Sequence, residues 1–154
     1  MALNKKGEVL VTKRQDTFAW VFPGGGISDQ EIPEEAVKRE IEEETGVKIK
    51  VIRLVRVYIL DHFLLKRVGF FFLAEKIGGK EKRQKGEVLE IRWVNSGELK
   101  RLVSKRHYQK YQTALSPDKR VKLAVEKKFP FSLYHLVLFL WRRNLGKRLG
   151  LVKI

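Results

Sequence analysis

Gly24-Gly25-Gly26-Ile27-Ser28-Asp29-Gln30-Glu31-Ile32-Pro33-Glu34-Glu35-Ala36-Val37-Lys38-Arg39-Glu40-Ile41-Glu42-Glu43-Glu44-Thr45-Gly46-Val47 is the stretch that decides the fold. Three successive glycines after Pro23 cannot continue regular structure and predict a loop. Pro33 suits the first turn of a helix, where its missing N–H is not needed. Glu34 and Glu35 complement the positive end of the helix dipole. Gly46 can take the left-handed conformation that stops a helix. The predicted helix therefore runs from Pro33 to Thr45. On it, Glu40, Glu43 and Glu44 stand at i, i+3 and i+4 and share one face. Glu42 points about 160° away from Glu40. Like charges at this spacing cost a few tenths of a kcal/mol per pair, and Lys48, at the helix end, is the expected basic partner. A hard divalent cation such as Mg²⁺ or Mn²⁺ is the other remedy, because it takes carboxylate oxygens. Taken alone, such a trio is also what a solvated acidic face looks like. The glycine loop beside it changes the reading, since bare backbone lets a phosphate chain or a metal come close.

The whole stretch has a fixed spacing: Gly25, five residues, Glu31, seven residues, Arg39-Glu40-Ile41, one residue, Glu43-Glu44, one residue, Gly46-Val47. These residues fill every fixed position of GX5EX7REUXEEXGU, where U is a bulky apolar residue. The chain thus resembles the Nudix hydrolases over roughly residues 3–105. Val11-Thr12-Lys13-Arg14 resembles the approach to that box, and Ile91-Arg92-Trp93-Val94 the strand after it. The resemblance implies an α/β (α+β) fold, an α/β/α sandwich around a mixed sheet. It also implies hydrolysis of a nucleoside diphosphate linked to another moiety, with Mg²⁺ or Mn²⁺. Carried over by position, Glu40, Glu43 and Glu44 are implied metal ligands, with the Gly24 carbonyl and Glu87 as further candidates and Glu90 as the rival of Glu87. Arg39 would orient Glu40, and Glu31 would brace loop and helix. Glu43 or Glu40, ahead of Glu87, would take the proton from the attacking water. Gly24, Gly25 and Trp20 are the candidates for touching substrate.

Three departures stand out. Gln30 occupies a position where the family usually has glycine. Ile32 replaces the usual capping threonine, a loss worth about 1 kcal/mol. Before Asn4 only Met1-Ala2-Leu3 stands where relatives have a full strand.

Outward from the box, Val9–Arg14, Val47–Leu60, Val68–Ala74 and Val88–Val94 read as strands by their β-branched and alternating residues. Gly78–Gly86 reads as a loop, Ser96-Gly97-Glu98-Leu99 as a helix start, Ser116-Pro117-Asp118 as a break, and Lys119–Lys128 as a short basic helix. The aromatic residues Phe18, Trp20, Tyr58, Phe63 and Phe70–Phe72 are either core or base-stacking surfaces.

The 154 residues are about one domain's worth of chain. The absence of cysteine excludes a disulfide scaffold, a thiolate metal site and a cysteine nucleophile, and fits a reducing, cytoplasmic setting. The net charge of +15 is uneven: residues 101–154 carry 14 Lys and Arg against 2 Asp and Glu. A polyanionic partner, either RNA or an anionic membrane, follows as a possible contact. The longest uncharged run, Phe129 to Trp141, has 13 residues, short of the roughly 20 a spanning helix needs. We therefore divide the chain into a core, 1–105, and a basic, partly apolar helical extension, 106–154, packed on the core or on a partner in a homodimer. Peripheral membrane association is the alternative for that extension. A nucleoside triphosphate or related nucleotide is the expected substrate. The rival reading is a module with the same fold that binds RNA, a membrane or a protein through its basic C-terminus.

Overall fold

A computed structural model describes the backbone of residues 1–62 and 65–127. Its elements are β1 (Ala2–Leu3), β2 (Val9–Arg14), β3 (Trp20–Val21), α1 (Pro33–Thr45), β4 (Val47–His62), β5 (Leu65–Gly79), β6 (Val88–Val94), α2 (Ser96–Leu102), α3 (Lys105–Leu115) and β7 (Lys122–Lys127). The strands form one sheet in the order β3-β2-β1-β5-β4-β7, with β6 on β2. The β1–β5 and β4–β7 pairs are parallel and the rest antiparallel, so the sheet is mixed, as expected.

Both faces of the sheet are covered, which is why β2 opens with four buried residues in a row instead of alternating. On one face Leu10, Ile41, Val47, Ile49 and Ala74 join α1 to the sheet. On the other, Val9, Val11, Val55, Phe71 and Leu73 meet Leu99, Val103 and Ala114 from α2 and α3. Ile41 is fully buried. Truncating a residue so placed costs about 2–5 kcal/mol, so this contact fixes the acidic face of α1 relative to the sheet.

Helix α1 has the predicted bounds, Pro33 to Thr45, and ends at Gly46 with φ +70°. Ile32 stands at its N-cap and makes no side-chain capping bond. By contrast, Asn95 caps α2 in a reciprocal box with Glu98, and Ser104 caps α3. The β4–β5 hairpin is longer than Val47–Leu60 and Val68–Ala74, and its β5 arm takes in Gly78 and Gly79 from the predicted loop. The short basic helix expected at 119–128 is instead the strand β7, parallel to β4 from Arg56↔Lys122 to Asp61↔Lys127. Ala124 packs into the core from it. The structured elements thus continue past residue 105 through α3 and β7. Residues 128–154, which hold most of the expected helical extension and the uncharged run Phe129–Trp141, lie outside the described residues. The same is true of Phe63 and of the His62 side chain.

β1 is as short as the sequence suggests. It pairs with β5 only at Ala74 and Glu75, while the Met1 main-chain nitrogen donates to the Phe72 carbonyl. A groove of about 750 Å³ runs between Gly24–Gly26 and the Arg67–Phe72 part of β5, closed at one side by His107 and Lys110 of α3.

Candidate active site

Arg39 ties helix α1 to the loop before it. Its Nε donates to Glu31 Oε1 at 2.9 Å and its Nη2 to Glu31 Oε2 at 2.9 Å, a two-pronged pairing. Nη2 also donates to the Gly26 carbonyl at 3.0 Å. Nη1 donates to Glu40 Oε1 at 3.0 Å and to Glu43 Oε2 at 3.1 Å. Glu31 in turn accepts the Ser28 amide at 3.0 Å. The Arg39 guanidinium, with the Ser28 amide, holds the Glu31 carboxyl down at about 2. Arg39 thus stands beside Glu40, and Glu31 beside the loop.

The carboxylates are relieved differently from the sequence expectation. Lys48 sits 3.5 Å from Glu42, on the outward side of the helix. The cation that meets the acidic face is Arg39, which stands at i−4 from Glu43 and next to Glu40. The i,i+4 spacing of Arg39 and Glu43 places the guanidinium on the acidic face, whereas Lys48, beyond the helix end, reaches Glu42.

Glu44 is the buried member of the trio. Its Oε2 accepts the Gly24 N–H at 3.1 Å. Burial pushes its carboxyl up to about 7; the negative charges of Glu40 and Glu87 push the same way, against the Gly24 bond and Arg14. Glu87 is exposed and lies within the electrostatic reach of Glu44 and Arg14. Its rival Glu90 is instead ion-paired with Arg92. The glycine loop fits closely around these acids. Gly24 has φ +147°, which favours glycine. A Cβ on Gly25 would collide with the Glu40 carboxylate. Glu40 therefore lies directly against bare backbone.

Among the described residues, no three acidic or histidine side chains are already converged on one point. Arg39 holds Glu40 and Glu43 while Glu44 turns to the Gly24 amide. The donor set still suits a hard divalent cation: every ligand candidate is an oxygen, and Glu44 sits in surplus negative charge that a cation would neutralise. A bound ion would compete with Arg39 for Glu40 and Glu43.

Gly24 and Gly25 line the groove along β5. Trp20 does not; it is half-buried, with the Arg92 guanidinium 4.9 Å from its ring centre. Tyr58, Phe71 and Phe72 are core, whereas Phe18 and Phe70 are exposed. His107 is a packing residue, its ring 5.6 Å from that of Phe22. Burial, then Lys110 and Arg106, lowers its pKa below the ordinary value. Arg14 is a residue that the sequence reading did not place at the site. It is pinned by Asp16 at 2.8 Å and feels Glu44 and Glu87. Its signal was its place at the end of β2, the strand that pairs with β3 just before the loop.

The family model described as the NUDIX domain matches residues 1–114. An RNA pyrophosphohydrolase of Haemophilus influenzae is 46% identical over 61 residues, which are 40% of this chain and 30% of that protein. A putative 8-oxo-dGTP diphosphatase of Bacillus subtilis is 33% identical over 99 residues, 64% of this chain and 65% of that protein. The chain therefore spans less than two-thirds of the length of either relative. Among solved structures, a NUDIX hydrolase from Nitrosomonas europaea aligns with a TM-score of 0.64 at 19% identity, over 81% of this chain and 77% of that one. At that identity the likeness shows the fold.

Proposed function

The chain belongs to the NUDIX domain family, and from that premise we propose that it hydrolyses a diphosphate bond in a nucleotide derivative with Mg²⁺ or Mn²⁺. The observation that carries the reading is Glu44, a buried carboxyl pushed up to about 7 beside Glu40 and Glu87, against a backbone bare enough for phosphate to approach. Glu40, Glu43 and Glu44 would hold the cation, with the Gly24 carbonyl and Glu87 as further donors. When bound, the cation supplies charge neutralisation at the diphosphate and lowers the pKa of a coordinated water. The residues of the chain do the rest. Arg39 fixes Glu40 and keeps loop and helix in register through Glu31. Glu43, half-exposed on the same face, or Glu40 accepts the proton of the attacking water. The water oxygen bonds to phosphorus as the bridging P–O bond breaks, and the two products leave as phosphates. Gly24 and Gly25 present bare backbone to the substrate. A cytoplasmic location goes with this reading. Among the described residues, no helix is long and apolar enough to cross a membrane.

Two substrate classes compete. A nucleoside triphosphate converted to its monophosphate is the first. A triphosphorylated or capped RNA 5′ end is the second, favoured by the similarity to an RNA pyrophosphohydrolase and by the basic residues 101–154. A panel of nucleotides and 5′-triphosphorylated RNA, incubated with Mg²⁺ or Mn²⁺ and resolved by chromatography, tests the reading. We expect metal-dependent release of a monophosphate product. No turnover of any member by the folded protein would favour a binding module instead.

A further inference from the structure

Among the described residues β7 is an edge strand with an uncovered apolar side. Leu123 is 67% exposed and Val125 54%, while Ala124 between them packs into the core. The register sets Leu123 opposite Val57 and Val125 opposite Ile59 on β4. On the other side of β4, Val57 pairs with Phe70 and Ile59 with Val68. Residues opposite one another across a ladder point to the same face. The six side chains therefore form one apolar patch over three strands, with Val68 55% and Phe70 37% exposed; these two also line the groove beside Gly24–Gly26, so the patch borders that groove. It is the outer part of the face that α1 covers. Phe70 stacks on Phe72, ring centres 6.4 Å apart, and Ala74, two residues further, lies in the α1 cluster. α1 thus covers the face near Ala74, while the patch stands open on the hairpin beyond it.

We propose that this patch is the docking face for residues 129–141 of the same chain. β7 ends at Lys127, opposite Asp61 and two residue pairs beyond the Val125–Ile59 pair, so the chain leaves the sheet at the edge of the patch. The uncharged run Phe129–Trp141 begins two residues later. Thirteen residues are enough for a helix of about 20 Å and about 10 Å diameter. Three strands about 4.8 Å apart present a face about 10 Å wide between the outer two. A tether this short gives the segment an effective concentration in the millimolar range, ahead of a second copy in solution.

The chain has no cysteine, so engineered pairs are unambiguous. Leu123→Cys is combined with a single cysteine replacing Leu133, Leu136, Val137 or Leu140 in the full chain, and each variant is treated with a short bismaleimide. At least one pair should cross-link within the monomer, seen as a faster-migrating band at monomer mass that persists on dilution. Ile77→Cys, on an exposed position far along β5, should give no such band with the same partners. A cross-link at dimer mass that fades on dilution would overturn the proposal and assign the patch to a second copy. Cross-linking absent in solution, together with salt-sensitive binding to anionic vesicles, would overturn it in favour of a membrane. No cross-link under any condition would show that the face stays open.

Discussion

Gln30 adopts φ +68°, a left-handed conformation that costs a non-glycine residue about 1–2 kcal/mol. Glycine pays about 0.5–1 kcal/mol in chain entropy at such a site. Gln30→Gly should therefore raise stability, by about 0.5–1 kcal/mol. Urea unfolding of the two proteins checks this, and a loss of stability would mean that Gln30 is not strained. The sequence showed the departure from glycine, but not that the position needs positive φ. Arg39 teaches a related lesson. Its role beside Glu40 and Glu31 is what the resemblance implies, and its guanidinium donates to both carboxylates. Its bond to Glu43 follows from the i,i+4 spacing alone. Burial is the part that local sequence cannot give. Nothing in Glu43-Glu44 says that the second is buried and the first half-exposed, because that depends on how α1 is rolled onto Leu10 and Ala74.

Helix α1 was legible to the residue because its ends are written locally, in Pro33 and in Gly46. Its weak point was equally legible. Ile32 leaves the first-turn amides without a side-chain acceptor, and at 56% exposure it gives the core little in return. Ile32→Thr should stabilise the protein by about 1 kcal/mol, seen as a higher urea midpoint at unchanged slope. No gain would mean that the loop before the helix already satisfies those amides. β7 went the other way. Lys122-Leu123-Ala124-Val125-Glu126-Lys127 is too short for its period to decide between helix and strand. Its partner, Arg56–Asp61, is 66 positions away in the chain. Parallel pairing at that separation leaves no trace in a local window. The same holds for the extra length of β4 and β5, where each strand extends because the other is there.

At the scale of the molecule, the described residues form a mixed sheet with α1 on one face and α2 and α3 on the other, and the layering was expected from the resemblance. The box positions lie in one loop and one helix, so the acidic constellation could be read as a unit; Glu87, which comes from the segment just before β6, was brought to it only by the resemblance, since no local spacing links it to the box. What the sequence and fold do not encode is the substrate. A fold hosts many functions, and specificity lies in groove walls built from distant segments, here the glycine loop, β5 and α3. The central claim is that the acidic face of α1 runs metal-dependent hydrolysis. It is tested most directly by the rate at which the full chain hydrolyses a nucleoside triphosphate, with Mg²⁺ and after chelation, for the wild type, Glu43→Gln, Glu44→Gln and Glu42→Gln. The wild type should turn over only with metal. Glu43→Gln and Glu44→Gln should each lose about two orders of magnitude or more in kcat while remaining folded. Glu42→Gln, whose carboxylate points outward to Lys48, should stay within about twofold, since that exposed pair contributes little. Wild-type rates in folded Glu43→Gln and Glu44→Gln, or turnover that survives removal of every divalent ion, would contradict the account.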